Sequence, residues 1–88
     1  MNHRHRKILH SLYAHPISGN ISPASVWSVM KTLGAEVEER QHGRIAVSLN
    51  GHSANFSQAG HSLPVDEIIH VRKFLESCGI NPEKDHPL

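Results

Sequence analysis

Two histidines and one arginine have the chemistry that metal-free cleavage of RNA requires. His42 and Arg44 lie two positions apart around a glycine-containing turn, and His61 lies in a glycine-containing loop later in the chain. Such cleavage needs a base for the ribose 2′-hydroxyl, a cation at the phosphate and an acid for the leaving oxygen. His42 and His61 are therefore candidate catalytic residues, and Arg44 is a candidate phosphate anchor. Each also has an ordinary alternative as a turn, loop or solvated residue.

A basic segment at the start of the sequence is a second candidate for contacts with RNA. Arg4, Arg6 and Lys7 follow and alternate with His3 and His5, and positive side chains attract phosphates. We expect this segment to be a flexible basic tail. A His-X-His pair without Cys or carboxylate partners at ligand spacing is a weak metal signal. We therefore expect no metal or other cofactor.

The remaining histidines are expected to be exposed or structural. His52 flanks an Asn50-Gly51 pair at the far end of a hairpin from Arg44, so only one of these two ends can hold a single site, and the Arg44 end is favoured. Four others are interpreted as surface or capping residues: His10, His15, His70 and His86. Because histidine has an ordinary pKa near ~6.5, binding of an anion should strengthen as the pH falls.

Three short runs of alternating polar and apolar residues predict the sheet that positions these groups. They span residues 35–41, 44–49 and 52–56, and they are separated by His42-Gly43 and Asn50-Gly51. Asn-Gly between alternating runs favours a two-residue hairpin turn, because both central residues of that turn need positive φ. We predict a three-stranded antiparallel sheet.

The Asn50-Gly51 turn also predicts which side chains share a face. If these two residues form the loop, Leu49 lies opposite His52, and the core face follows from the period of two. The core face should contain Ala35, Val37, Ile45, Val47, Leu49, Ala54 and Phe56. The outer face should contain Glu36, Glu38, Arg40, Arg44, Ala46, Ser48, Ser53, Asn55 and Ser57. This outer face is small and polar, as an open or partner-covered surface would be, and it adds Arg40 to the candidate RNA contacts.

Helical patterns lie on both sides of the sheet. One amphipathic helix is predicted over residues 4–14, and a second from the Ser22-Pro23 pair to Leu33, with Trp27 against the first helix. A last helix is predicted from about Leu63, with Pro64 in its first turn, followed by a loose tail over residues 81–88. The predicted fold is α+β in the order α-α-β-β-β-α.

Length and composition indicate one domain without covalent cross-links. The chain has 88 residues, a formal charge of +1 and a single cysteine, Cys78. One cysteine excludes an internal disulfide and is compatible with a reducing cytoplasm. The basic start is followed by an amphipathic segment, so we expect neither a secretion signal nor a membrane span. We expect a cytoplasmic protein with one domain over residues 1–80.

Several short matches resemble the HicA family, the RNA-cleaving toxins of bacterial toxin-antitoxin pairs. The matches are Leu33-Gly34-Ala35-Glu36-Val37, His42-Gly43-Arg44, Ser62-Leu63-Pro64 and Cys78-Gly79-Ile80, and the resemblance covers about residues 21–80. It implies a fold similar to double-stranded-RNA-binding domains, metal-independent cleavage of messenger RNA and neutralisation by a HicB-type antitoxin. The helix at 4–14 would be an added element.

The sequence departs from this family at the catalytic position. The family's Gly-Ser-His motif ends in the catalytic histidine, and the matching residues here are His42, Gly43 and Arg44. A guanidinium with a pKa above ~12 cannot act as a general base near neutral pH. Two hypotheses follow: the proton-transfer role has moved to another residue, or the protein binds RNA or an antitoxin without cleaving RNA.

Overall fold

The chain forms one three-stranded antiparallel sheet in the order β1-β2-β3, with helices before and after it. The structure is a computed structural model that describes residues 2–14, 17, 21–58 and 62–87. The elements are α1 (His3–Leu12), α2 (Pro23–Thr32), β1 (Glu36–Arg40), β2 (Arg44–Leu49), β3 (His52–Ser57), α3 (Val65–Ser77) and α4 (Pro82–Asp85). The predicted α+β order is confirmed, with α4 as an additional short helix. Among the described residues, no helix combines the length and apolar character needed to cross a membrane.

The strand register agrees with the register that the turn predicts. Asn50 and Gly51 have φ of +52° and +81°, and Leu49 pairs with His52 across the hairpin. The same ladder pairs Arg44 with Ser57. The core and outer faces of β2 and β3 are therefore those expected from the sequence.

The core lies between the inner face of the sheet and the helices. Its fully buried side chains include Leu9, Leu12, Val26, Val29, Met30, Val47, Ile68, Val71 and Leu75. Trp27 is buried, and its ring packs on Phe56 in β3 at 5.8 Å between centroids. Its expected contact with the first helix stays a prediction. Leu33 and Ile69 are half-buried.

The basic residues near the N-terminus lie in a helix. α1 begins at His3, one residue earlier than predicted, and ends at Leu12. The side chain of Asn2 accepts a 2.8 Å hydrogen bond from the backbone N–H of His5, which satisfies one of the free donors at the helix start. The prediction of a flexible basic tail over residues 3–7 is therefore wrong, because Asn2 caps a helix there.

The ends of α2 and α3 follow the predicted signals with small shifts. Ser22 is the N-cap of α2, although its side chain makes no capping bond. α3 begins at Val65, with Pro64 as its N-cap and not in its first turn. Gly34 and Gly79 follow the two helices with φ of +99° and +82°, as expected for left-handed C-terminal ends.

Residues 81–87 are ordered against α1, in contrast to the loose tail predicted for residues 81–88. Asn81 accepts bonds from two backbone N–H groups of α4 at 3.1 and 3.3 Å, and the buried Pro82 occupies the first position of that helix. Proline is favoured there because this position needs no N–H donor. The Nε2 atom of His10 lies 2.8 Å from the backbone oxygen of His86 and donates to it.

Tyr13 links the end of α1 to the chain after α3. Its hydroxyl donates a 2.8 Å hydrogen bond to the backbone oxygen of Ile80. Burial, with smaller contributions from Glu76 and Cys78, raises the pKa of Tyr13 to about 12. Folding therefore favours the protonated phenol.

A titration of Tyr13 tests this attachment, because it is the only tyrosine in the chain. Phenolate absorbance of the folded protein should have its midpoint near pH 12, compared with about 10 in urea. Since the unfolded state loses its proton first, the free energy of unfolding should fall as the pH rises from 10 to 12. Tyr13→Phe should remove that part of the pH dependence. A folded-state midpoint near 10 would show that the phenol is not buried as the structure has it.

Candidate nucleic-acid interface

Two arginines lie side by side at one end of the outer sheet face. Arg40 ends β1 and Arg44 begins β2, and the two are directly paired across the ladder. They line a pocket of about 250 Å3. The complete lining is Arg40, Arg44, Asn55, Phe56 and Ser57, and we call it the arginine pocket. The structure therefore brings together two of the residues predicted to contact RNA.

The two arginines differ in their surroundings. Arg40 lies 3.6 Å from the carboxylate of Glu38, and both side chains are more than half exposed. An ion pair of this kind contributes little, because both charges stay hydrated. Among the described residues, Arg44 has no carboxylate within ion-pair distance. The charge of Arg44 is thus less neutralised by neighbouring carboxylates than the charge of Arg40.

His42 lies in the turn between the paired arginines. It is exposed, with φ of +63° and ψ of +33°, within a 3-10 turn formed by Gln41–Gly43. A non-glycine residue in this left-handed region carries backbone strain of about 1 kcal/mol or more. The side chain is close in sequence to both arginines but does not line their pocket.

Gln58, which follows β3, holds the turn in place from the neighbouring strand. Its backbone N–H donates a 2.7 Å hydrogen bond to the carbonyl oxygen of Gly43. Its side-chain oxygen accepts a 2.6 Å bond from the indole N–H of Trp27. Gly43 has φ of +70°, and a Cβ atom there would collide with the backbone oxygen of Gln58. The turn therefore requires glycine at this position for both conformation and space.

A second polar cluster lies between the start of α3 and the end of β3, and it was not identified from the sequence. Glu67, in the first turn of α3, accepts a 3.0 Å hydrogen bond through Oε2 from the backbone N–H of Ser57. Its other oxygen, Oε1, lies 3.9 Å from Nδ1 of His70. The His70 ring packs on Phe56, with centroids 4.6 Å apart. His70 was interpreted as a surface or capping residue, and only its spacing of three from Glu67 on a helix signalled this pair.

The basic residues of α1 separate into two groups. Arg4 and Lys7, one turn apart, line an open groove of about 540 Å3 together with His3, Ser22 and Ser25. Arg6 points elsewhere on the helix and is half-buried. The predicted basic set thus contributes two cations to one groove, and that groove shares no lining residue with the arginine pocket.

His61 lies outside the described residues, so its predicted catalytic role stays a prediction. His52 lies at the opposite end of the β2–β3 hairpin from Arg44, as expected. Within the described residues, no three His, Cys, Asp or Glu side chains form a group that could hold a metal ion.

Alanine substitutions test the close approach of Gln58 to Gly43. Gly43→Ala should lose stability through backbone strain and through the collision with Gln58, whereas Gly51→Ala, at φ of +81° with open space around Cβ, carries strain alone. We expect Gly51→Ala to lower the free energy of unfolding by about 1 kcal/mol, and Gly43→Ala to lower it by at least ~1 kcal/mol more. Urea unfolding of both variants measures the difference. Equal losses would contradict the close approach of Gln58.

Comparisons with known proteins returned no relative. No protein-family model, no curated protein and no solved structure matches this chain.

Proposed function

We propose that this protein is a HicA-like toxin, a metal-independent endoribonuclease that acts on messenger RNA and is neutralised by a HicB-type antitoxin. The observation that carries the proposal is the arginine pocket at the open end of the outer sheet face. Two guanidinium groups beside a hydroxyl and an amide are suited to a phosphodiester and its ribose, because arginine donates paired hydrogen bonds to phosphate oxygens. The α-α-β-β-β-α order agrees with the fold that the sequence resemblance implies.

Single-stranded RNA suits the pocket better than a duplex. The first turn of α3 carries Asp66 and Glu67, where double-stranded-RNA-binding domains have lysines that contact phosphates. Shape recognition of a duplex uses contacts with two successive minor grooves and with the phosphates of the major groove between them. Single-stranded messenger RNA needs only a local cation, and Arg44 supplies it. The groove beside Arg4 and Lys7 offers a further contact for the strand.

The outer sheet face is suited to a protein partner. Between its charged ends it carries small side chains such as Ala46, Ser48 and Ser53, so another chain can approach the sheet closely. Glu36 lies on this face at the end away from the arginine pocket, whereas Glu38 is paired with Arg40. An antitoxin that covers the face would block Arg44 from RNA, which is how we expect neutralisation to occur.

An RNA assay tests the endoribonuclease. Protein prepared without a partner should cleave messenger RNA in the presence of EDTA, and its expression alone should stop bacterial growth. Co-expression of an antitoxin from the adjacent reading frame should restore growth. Absence of cleavage products and of growth arrest would refute the enzymatic proposal.

Removal of Arg44 tests the phosphate contact. Arg44→Ala should weaken RNA binding and reduce the slope of log K against log salt by about 0.7, the change expected for one phosphate contact on a single strand. Lys31→Ala is the matched control, because Lys31 is an exposed cation of α2 outside the arginine pocket. An unchanged salt slope in Arg44→Ala would show that the phosphate is bound elsewhere.

A binding module without catalysis is the second candidate. Its support is Arg44 at the position of the family's catalytic histidine, together with the absence of His42 from the lining of the arginine pocket. This candidate predicts salt-sensitive RNA binding with no cleavage products. In that case Arg44→His, which restores the family residue, should be the variant that gains cleavage.

A further inference from the structure

We propose that the groove between α1 and α2 is a second RNA site, which binds the sugar-phosphate backbone of a single strand without reading its bases. This inference rests on the proposed RNA function and deepens it, because it assigns sequence-independent binding to a surface separate from the arginine pocket. Arg4 and Lys7 of α1 supply the positive charge, and Ser22 and Ser25 supply hydroxyl groups. We call this surface the α1–α2 groove.

The α1–α2 groove is continuous along α1. Its central cavity of about 540 Å3 shares Arg4, Ile8 and Ser25 with an adjoining cavity of about 250 Å3. It shares Lys7 and Ser11 with a third cavity of about 270 Å3. The shared residues of α1 span about 10 Å of helix, so the groove can contact more than one phosphate. Because packed helices lie with their axes about 8–10 Å apart, the space between them suits one strand better than a duplex.

The positive charge of the groove is not neutralised by carboxylates of the described residues. Arg4 and Lys7 are exposed, and in the part of the chain that the structure describes neither has a carboxylate within ion-pair distance. No Asp or Glu of that part lines any of the three cavities. All eight Asp and Glu residues of the chain lie from Glu36 onward. Phosphates are therefore attracted to this side of the molecule, with release of their counterions.

The polar groups of the groove are suited to the backbone and not to the bases. Ser22 is the N-cap of α2, but its side chain makes no capping bond, so its hydroxyl can donate to a phosphate oxygen. Among the described residues, the lining contains no Asn, Gln, Phe, Tyr or Trp, the side chains that pair with base edges or stack on bases. Two of the three lining histidines already bond within the protein: His5 with hydroxyls of α2, and His10 with a backbone oxygen. Hydroxyls and cations bind phosphate and ribose, which carry no sequence information.

The packing of α1 favours RNA over the other anionic surface that a basic amphipathic helix can bind, a membrane. A helix that binds a membrane inserts an exposed apolar face into the lipid. The apolar residues Leu9 and Leu12 of α1 are instead fully buried in the core. Within the described residues, the one large apolar side chain that is exposed is Val65, at the start of α3. The cations of α1 therefore border a groove and not a lipid-inserting face.

A double substitution tests the charge of the groove. Arg4→Ala with Lys7→Ala should reduce the slope of log K against log salt for single-stranded RNA by about 1.4, the loss of two phosphate contacts at about 0.7 each. Lys31→Ala with Lys73→Ala is the matched control, because it removes the same charge from exposed side chains outside the three cavities. The control should keep the wild-type slope. Equal slopes in the two double variants would overturn the inference.

Ser25→Asp tests the groove without removal of a cation. Ser25 lies in the first turn of α2, where a carboxylate favours the helix, so the variant should stay folded. The new charge repels phosphate and should weaken RNA binding at low salt by about fivefold or more. Ser25→Asn is uncharged and similar in size to Asp, and it should bind RNA as wild type does. Equal affinities of the Asp and Asn variants, with both shown to be folded by thermal unfolding, would contradict the site.

Binding by Arg44→Ala protein tests which ligand the groove takes, because the arginine pocket has then lost a cation. Oligo(A), oligo(C) and oligo(U) of equal length should bind with affinities that agree within about threefold. A preference above about tenfold for one of them would show that bases are read. Displacement of the strand by AMP at an equal nucleotide concentration would indicate a mononucleotide site. Binding to phosphatidylserine vesicles but not to RNA would indicate a membrane site, and each of these three results overturns the inference.

The Arg4→Ala, Lys7→Ala protein also separates this inference from the proposed function. If wild type cleaves RNA and this variant binds and cleaves it equally well, the role of the groove is wrong while the endoribonuclease stands. If wild type binds RNA through the groove but never cleaves it, the groove stands and the proposed catalysis fails. If wild type binds no single-stranded RNA at low salt, both fail.

Discussion

The register of the β2–β3 hairpin is the constraint on which the other features depend. Side chains alternate between the two faces of a strand, so a shift of one residue would turn Arg44 into the core and expose Ile45. The two left-handed residues Asn50 and Gly51 fix that register at one end. At the other end, the Gly43 carbonyl accepts the N–H of Gln58. The arginine pocket therefore depends on both the Asn50-Gly51 turn and the hydrogen bond between Gly43 and Gln58.

The last long helix is attached to the same hairpin near both of its own ends. Asn50 donates a 2.9 Å side-chain hydrogen bond to the backbone oxygen of Cys78, which follows α3. Glu67, at the start of α3, accepts from Ser57, the last residue of β3. Phe56 packs on Phe74 between these two points, with ring centroids 5.7 Å apart. α3 and the hairpin therefore form one unit. These three contacts fix the position of each α3 residue relative to the arginine pocket.

The sequence could predict the parts of the fold that depend on neighbours in the chain. The alternating runs and the Asn50-Gly51 pair define the strands, the faces and the pairing of Arg44 with Ser57. They do not define how α3 lies on the sheet, so the contacts of His70 with Phe56 and Glu67 could not be predicted, although His70 is exposed, as expected. Trp27 shows the same limit, because helical periodicity identifies a buried side but does not show that Phe56 of β3 lies against its ring. Pro82 is ambiguous in sequence, since proline either ends a helix or begins one.

Glu67 also affects how this protein can associate with other chains through the edge of its sheet. β3 lies at the edge of the sheet, and an edge strand offers backbone donors and acceptors with which a foreign strand can pair. The Ser57 N–H is already occupied by a carboxylate, and an incoming strand would bring a carbonyl dipole toward that negative charge. Growth of the sheet by strand addition is therefore disfavoured at this end of β3, and the same side chain that faces His70 helps to keep the molecule from aggregating through its edge.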